Sequence, residues 1–252
     1  MIIIAFFFAH WYFSLFCQTF FLHRYAAHKM FVMNKFWERF FFIFTFISQG
    51  SSYLSARAYA ILHRMHHAYS DTDKDPHSPH HSDNLFTMMW ETKQIYNDYL
   101  VRKIEPESRF AKGIPEWESL DKFADNRYVR IGWGVLYSLI YIACISIWEL
   151  PYTHWAMYAL LPIHYLMGPI HGAIVNWCGH MYGYANFDNH DKSKNSMVFD
   201  FLMMGELFQN NHHKLPARAN FATQWFEIDP TYPLMKLLEK LKIIKMVKLK
   251  KA

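Results

Sequence analysis

The stretch FWERFFFIFTFISQGSSYLSARAYAIL, residues 36 to 62, decides how the chain is arranged. Its apolar core, Phe40 to Ile47, is too short to cross a bilayer, which takes about 20 mostly apolar residues. Glu38, Arg39, the SQGSS run and Arg57 flank that core. Were this stretch to span, HRYAAH (23 to 28) and HRMHH (63 to 67) would lie on opposite faces of the membrane. Lying in the interface, or dipping in and returning, it leaves both histidine groups on one side. The second arrangement is the one expected here.

Working outward, three other stretches are long and apolar enough to cross: residues 1 to 22, 131 to 148, and about 155 to 175. The first lacks the basic start and small-residue cleavage site of a signal peptide. The second and third are joined by the short polar turn ELPYTH and form a hairpin, which brings the chain back to the histidine side after Val175. The composition agrees: 252 residues, 52% hydrophobic and 19% aromatic, are rich for a soluble domain and suit an embedded one. A mean hydropathy of only −0.08 nevertheless places much of the chain in water. No linker, repeat or low-complexity run divides it, so residues 1–252 read as one domain.

Lysine and arginine mark the cytoplasmic side, and many of them fall between His23 and Arg130. The tail, 234 to 252, sets seven lysines among Leu, Ile, Met and Val at helical spacing. It reads as a basic amphipathic helix on the cytoplasmic leaflet. The expected fold is therefore all-α and integral to the membrane: about three crossings, an interfacial or re-entrant segment, and a cytoplasmic helical cap rich in histidine. A bacterial inner membrane, or the endoplasmic reticulum in a eukaryote, is the expected location.

Four histidine-bearing stretches converge on that cap: His23 and His28; His63, His66 and His67; His180 in NWCGH; and His212 and His213 in QNNHH. Positions i, i+3 and i+4 share one helix face, so HRMHH presents three imidazoles together. His23 and His28 are five apart, about 140° around an α-helix, and are expected to serve two neighbouring metals. Eight imidazoles exceed the four ligands of one zinc ion. Two metals held mainly by nitrogen suit iron. HSPHH (77 to 81) repeats the spacing of HRMHH, but Pro79 and the preceding DTDKDP make it a turn. Its histidines are expected to be solvated and outside the site, with His77 at most ordering the loop beside Asp75. His171, inside the third crossing, reads equally as a functional group or as a neutral imidazole bonded to a neighbouring helix.

HRYAAH, HRMHHAYSD, NWCGH and GELFQNNHHK resemble the histidine boxes of membrane fatty acid desaturases, most closely the acyl-CoA type acting at the ninth carbon. DPH at 75 to 77 also fits, and the resemblance runs from about Phe21 to Phe226. It implies a non-haem di-iron oxygenase that uses O2 to form a cis double bond in a saturated acyl chain. It also implies that His23, His28, His63, His66, His67, His180, His212 and His213 are iron ligands, and that Asn176 reaches an iron through water. Two departures stand out. Gln209 occupies the position at which the third box usually begins with His, and so becomes a further candidate ligand. The N-terminal side has room for one crossing where the family commonly has a helix pair, so the chain is a short form or lacks its first helix.

The substrate is expected to be a fatty acyl-CoA or an acyl-lipid within the membrane. Arg24, Arg57 and Arg64 are candidates for a phosphate-bearing carrier or headgroup, with Lys192 and Lys194 behind them. The chain holds no GxGxxG, P-loop or CxxC cluster. Electrons must then come from a separate ferredoxin, rubredoxin or cytochrome b5-like donor, and nothing points to nucleic acid. The alternatives are a membrane di-iron hydroxylase, a histidine-rich metal transporter, a haem-binding bundle, or an inactive protein that has kept the fold.

Overall fold

The computed structural model describes residues 2–147 and 152–248, with backbone alone for 152–155. α1 (Ile2–Phe16) runs on without a break as a wider π-helical stretch, Cys17–Ala27, giving one helix of 26 residues. After a short strand β1 (Phe31–Met33), Asn34 opens α2 (Lys35–Gln49), its side chain accepting the Trp37 N–H at 3.1 Å. At Gly50 the chain reverses with φ +50°, where an added Cβ would lie 1.8 Å from the Tyr137 hydroxyl. Only glycine meets both the backbone angle and the contact. α3 (Ala56–Tyr69) then returns alongside the π-helical stretch and sets His63 Nε2 2.6 Å from His28 Nε2.

A loop from Ser70 to Asn84 leads to α4 (Leu85–Leu100), where the Asn84 side chain caps the Phe86 and Thr87 N–H groups at 3.0 Å each. The single turn α5 (Ser108–Ala111) and α6 (Glu118–Asp125) precede the long apolar α7 (Arg127–Ile147). Residues 148–151, within the ELPYTH region, lie outside the described residues. Beyond them a 3-10 stretch (Tyr152–Leu160) leads into α8 (Leu161–Tyr165), α9 (Met167–Ala173), a π-helical turn (Ile174–Cys178) and α10 (Gly179–Met181). α11 (Gln209–Lys214) and α12 (Thr231–Lys240) complete the helices, and β2 (Ile244–Met246) pairs antiparallel with β1.

Among the described residues, α1 with its π-helical extension and α7 are long and apolar enough to cross a membrane. The stretch expected to be a third crossing is not one straight helix. Ala156–Tyr165 and Met167–Met181 meet at 80°, so a third span exists only if this bent pair is counted as one. Pro169 supplies a cause: it has no N–H for the preceding turn, and its ring excludes the carbonyl four residues back.

The tail also departs from expectation. Its helix ends at Lys240, and Lys242 adopts φ +59°. Ile244 is buried and its strand pairs with Phe31–Met33. An apolar partner strand therefore competes successfully with continued helix, and residues 249–252 lie outside the described set.

Packed aromatic rings dominate the core near the histidines. Phe20, Phe21, Phe31, Phe42, Phe208 and Phe221 are all at most 2% exposed. This dense cluster fixes the π-helical stretch, β1, α2 and the segment before α11 against one another, which is what holds the imidazoles in register.

Candidate metal centre

The π-helical winding of Cys17–Ala27 changes the geometry of HRYAAH. Its i→i+5 bonding, seen as the His28 N–H donating to the His23 carbonyl at 3.1 Å, places residues five apart over one another. The two rings are 4.9 Å apart and belong to the same group of five: His23, His28, His63, His67 and His212. The expectation that they serve different metals, drawn from α-helical geometry, is therefore corrected.

Within this group the ring nitrogens converge. His23 Nε2 and His212 Nε2 are 2.9 Å apart, His67 Nε2 is 2.9 Å from His212 Nε2 and 3.0 Å from His63 Nε2, and His28 Nε2 is 2.6 Å from His63 Nε2. A second group, His66, His180 and His213, adjoins it, with His66 Nε2 3.2 Å from His213 Nε2. The His67 and His213 rings, one from each group, are 4.4 Å apart. All eight expected histidines thus come together, divided five and three.

Carboxylates fix which nitrogen faces inward. Nδ1 of His23 lies 2.6 Å from Glu206, that of His66 2.9 Å from Asp75, that of His180 3.0 Å from Asp71, and that of His213 2.6 Å from Asp191. A neutral imidazole donating through Nδ1 has a bare lone pair on Nε2. His66 thus turns its lone pair toward His213, and among the described residues His180 Nε2 is buried with no partner. Such an arrangement is costly by itself and favourable around a cation. Metal–imidazole bonds of about 2.1 Å put neighbouring donors about 3 Å apart, close to the spacings here. The residues present fit two nitrogen-ligated metal ions.

Electrostatics favour the ligand form of six of these rings. Burial first, then the neighbouring rings, push His28, His63, His67 and His212 well below the ordinary histidine value. His66 and His213 are lowered by burial too, but Asp75 and Asp191 partly oppose the shift. Burial would raise the Asp71, Asp75 and Asp191 carboxyls, yet their imidazole and N–H partners outweigh it and hold them below the carboxylate range.

The loop expected to be solvated is part of this centre. Asp71 and Asp75 orient His180 and His66, His80 bonds the His180 carbonyl at 3.2 Å, and His77 is only 7% exposed, its ring 4.4 Å from His66. Pro79 does prevent a helix, but a turn that wraps a buried site hides its side chains as well as a helix does. Sequence reasoning passed over Asp71, Asp191 and Glu206 for want of a spacing rule. The available signal was an acidic residue within or between the later boxes: HHAYSD, NHD and GELFQNNHH.

Gln209 lies beside the centre, its amide N–H donating to the Glu206 carbonyl at 2.6 Å. Gly179 gives it room, since a Cβ there would meet Gln209 Cγ at 2.5 Å. Asn176 and Gln209, with His63 and His77, line a cavity of about 710 Å³ whose other walls include Leu15, Tyr96, Leu166, Gly172 and Val175. His171, fully buried, has no hydrogen-bond partner among the described residues and instead meets Trp11 edge-on at 4.5 Å.

The arginines expected to bind phosphate are engaged elsewhere. Arg24 is fully buried and paired with Asp229 at 2.8 Å. Arg57 bonds the Tyr99 carbonyl at 2.7 Å and lies near Glu105 and Glu116. Arg64 donates to the carbonyls of Ala26, Ala27, Phe110 and Lys112. Guanidinium groups held by internal acceptors are structural braces, and the exposed cations lining the cavity are Lys93 and Arg127.

Comparison with known proteins agrees with this chemistry. The fatty acid desaturase family model matches residues 1–240. The chain is 28% identical over 236 residues to the Delta-9 desaturase-like 2 protein of Arabidopsis thaliana, covering 92% of this chain and 72% of that one. It is 29% identical over 230 residues to the sn-1 stearoyl-lipid 9-desaturase of Synechocystis sp., covering 90% and 65%. With an acyl-CoA C20 Delta5-desaturase of Anemone leveillei the identity is 25%, covering 90% and 67%. The chain thus spans about two thirds to three quarters of the length of these relatives.

Proposed function

The chain belongs to the fatty acid desaturase family, and on that premise we propose that it desaturates a saturated fatty acyl chain, near its ninth carbon, at a two-iron centre. The observation that carries this reading is the junction of eight imidazoles with a mainly apolar cavity: His63 belongs to both, and Asn176, Glu206 and Gln209 line the cavity with it. Bound iron would supply the oxidising power that no side chain has, drawn from O2 and two electrons, so that the alkane and O2 with two electrons and two protons give the alkene and two waters. The protein's part is binding and exclusion. His23, His28, His63, His67 and His212 would hold one ion, and His66, His180 and His213 the other. Asp75, Asp71 and Asp191 keep the proton on Nδ1 and the lone pair on Nε2 for three of these rings, and Glu206 lies against Nδ1 of His23. The cavity walls align the acyl chain beside the centre and keep water away.

On this reading α1, α7 and the bent pair cross the membrane, with the histidine cap and both described chain ends of the β1–β2 pair on the cytoplasmic side. Lys93 and Arg127, exposed beside Phe86 and Trp90, suit the anionic head of an acyl carrier, either a CoA thioester or a phospholipid. Electrons come from a separate one-electron carrier.

Expression in a host without its own desaturation, with an electron donor supplied, should yield a new cis-monounsaturated acid. An alcohol at the same carbon would instead identify a hydroxylase, and no new product with two irons bound would overturn both readings. Channel depth is testable with the same assay. Gly172 lines the cavity, and a Cβ added there meets nothing within 4 Å. Gly172→Phe should therefore fill the channel and shift products toward shorter chains by about tenfold. An unchanged chain-length profile would show that the acyl chain runs elsewhere.

A further inference from the structure

The two halves of the centre are unequal: five imidazoles converge in one group and three in the other, and a third set of potential ligands, His66 with Asp75 and His77, shares His66 with the smaller group. Gln209, at the start of the third box, offers the smaller group only a neutral amide whose N–H is already committed to the Glu206 carbonyl. Beside that smaller group lies an imidazole with no assigned task. His77 is 7% exposed, its ring stands 4.4 Å from His66, and its Nε2 is buried without a hydrogen-bond partner among the described residues. It lines the cavity together with Asn176 and Gln209. Its place is set by Asp75, which accepts the His77 backbone N–H at 3.1 Å while holding His66 Nδ1 at 2.9 Å. One carboxylate thus registers both rings.

We propose that His77 is a metal ligand of the His66–His180–His213 group, supplying the imidazole that Gln209 does not. A buried ring nitrogen without a partner carries a desolvation cost that a metal bond removes. Imidazole is also a better donor than an amide oxygen for a divalent transition metal. This assignment rests on the two-metal reading above, and a metal-binding readout separates the two without recourse to product formation.

The test uses the whole chain, purified in detergent and stripped of metal, titrated with Co(II), whose visible absorption reports its nitrogen donors. The unaltered protein should take two equivalents. His77→Ala should weaken one of them about 100-fold or more and alter its spectrum. Imidazole added to the buffer should restore both, because the cavity gives it access. Gln209→Ala should change either equivalent by less than about threefold. The double variant His77→Gln with Gln209→His returns an imidazole to the group and should regain the second equivalent, even if His77→Ala does not fold. Two tight equivalents with an unchanged spectrum in His77→Ala would overturn the assignment. So would a loss that neither imidazole nor the double variant repairs, since that marks a positioning role through Asp75. Fewer than two equivalents in the unaltered protein would count against the two-metal reading itself.

Discussion

Replacing His212 with alanine is expected to abolish desaturation and to remove the metal of the five-histidine group, while the fold survives. His212 is fully buried, and its Nε2 lies 2.9 Å from Nε2 of both His23 and His67, so it joins the first and second boxes through one atom. Loss of a supporting carboxylate typically costs 10- to 100-fold in metal affinity, and loss of the ligand itself should exceed about 100-fold. Metal that binds only the folded state stabilises it by mass action, so the melting temperature of the variant should no longer rise with added Fe(II). The metal-free proteins should behave differently. Removing one of several crowded neutral rings relieves facing lone pairs, and His212→Ala should lose no more than about 1–3 kcal/mol of metal-free stability, the cost of the lost packing against Phe221. Iron analysis, product analysis and paired melting curves with and without metal check this. Full iron content with activity intact would remove His212 from the ligand set.

Acid should strip and destabilise the centre from about pH 6.5 downward, and the group of His66, His180 and His213 should give up its metal first. His28, His63, His67 and His212 are held well below the ordinary histidine value in the folded protein, by burial and then by one another. The unfolded chain therefore binds more protons than the folded one below about pH 6.5. The stability these groups contribute is complete above that value and is lost as pH falls below it. Each such ring adds a slope of about 1.4 kcal/mol per pH unit, so four together make the fall steep. His66 and His213 differ because Asp75 and Asp191 stand against them and remain ionised at these pH values. A carboxylate partner stabilises an imidazolium, so protons compete more effectively with metal there, and the second group should accordingly lose its metal at higher pH than the first. Melting curves of the metal-free protein across pH 5 to 8, with metal content at each pH, test the order. A flat profile would mean that the rings are not buried as described.

Much of the centre was legible in the sequence. Three imidazoles at 63, 66 and 67 share a helix face because the α-helix has a fixed period, and that period holds in α3. The eight ligand candidates could be chosen from 16 histidines because four clusters at the ends of apolar segments have few ways to be arranged. The companionship of His23 and His28 was not legible. It depends on a π-helical winding that no residue pattern announces, and an α-helical reading placed the two rings apart. The same holds for part of the loop: HSPHH looks like exposed turn, and His81 is exposed, but packing against His66 and His180 buries His77 and half-buries His80.

The sequence by itself determined which residue types meet and on which elements they ride, since hydrophobic length and periodicity are local properties of the chain. It also disclosed the family, because the boxes are contiguous strings. Tertiary structure alone decided the five-and-three division of the rings and the carboxylates that set each tautomer. It decided, too, that Arg24, Arg57 and Arg64 are internal braces, that the third apolar stretch bends, and that the tail ends in a strand. All of these depend on contacts between residues far apart in the chain, such as His23 with Glu206 or Phe31 with Met246, and a linear pattern carries no record of which distant partner a group will find.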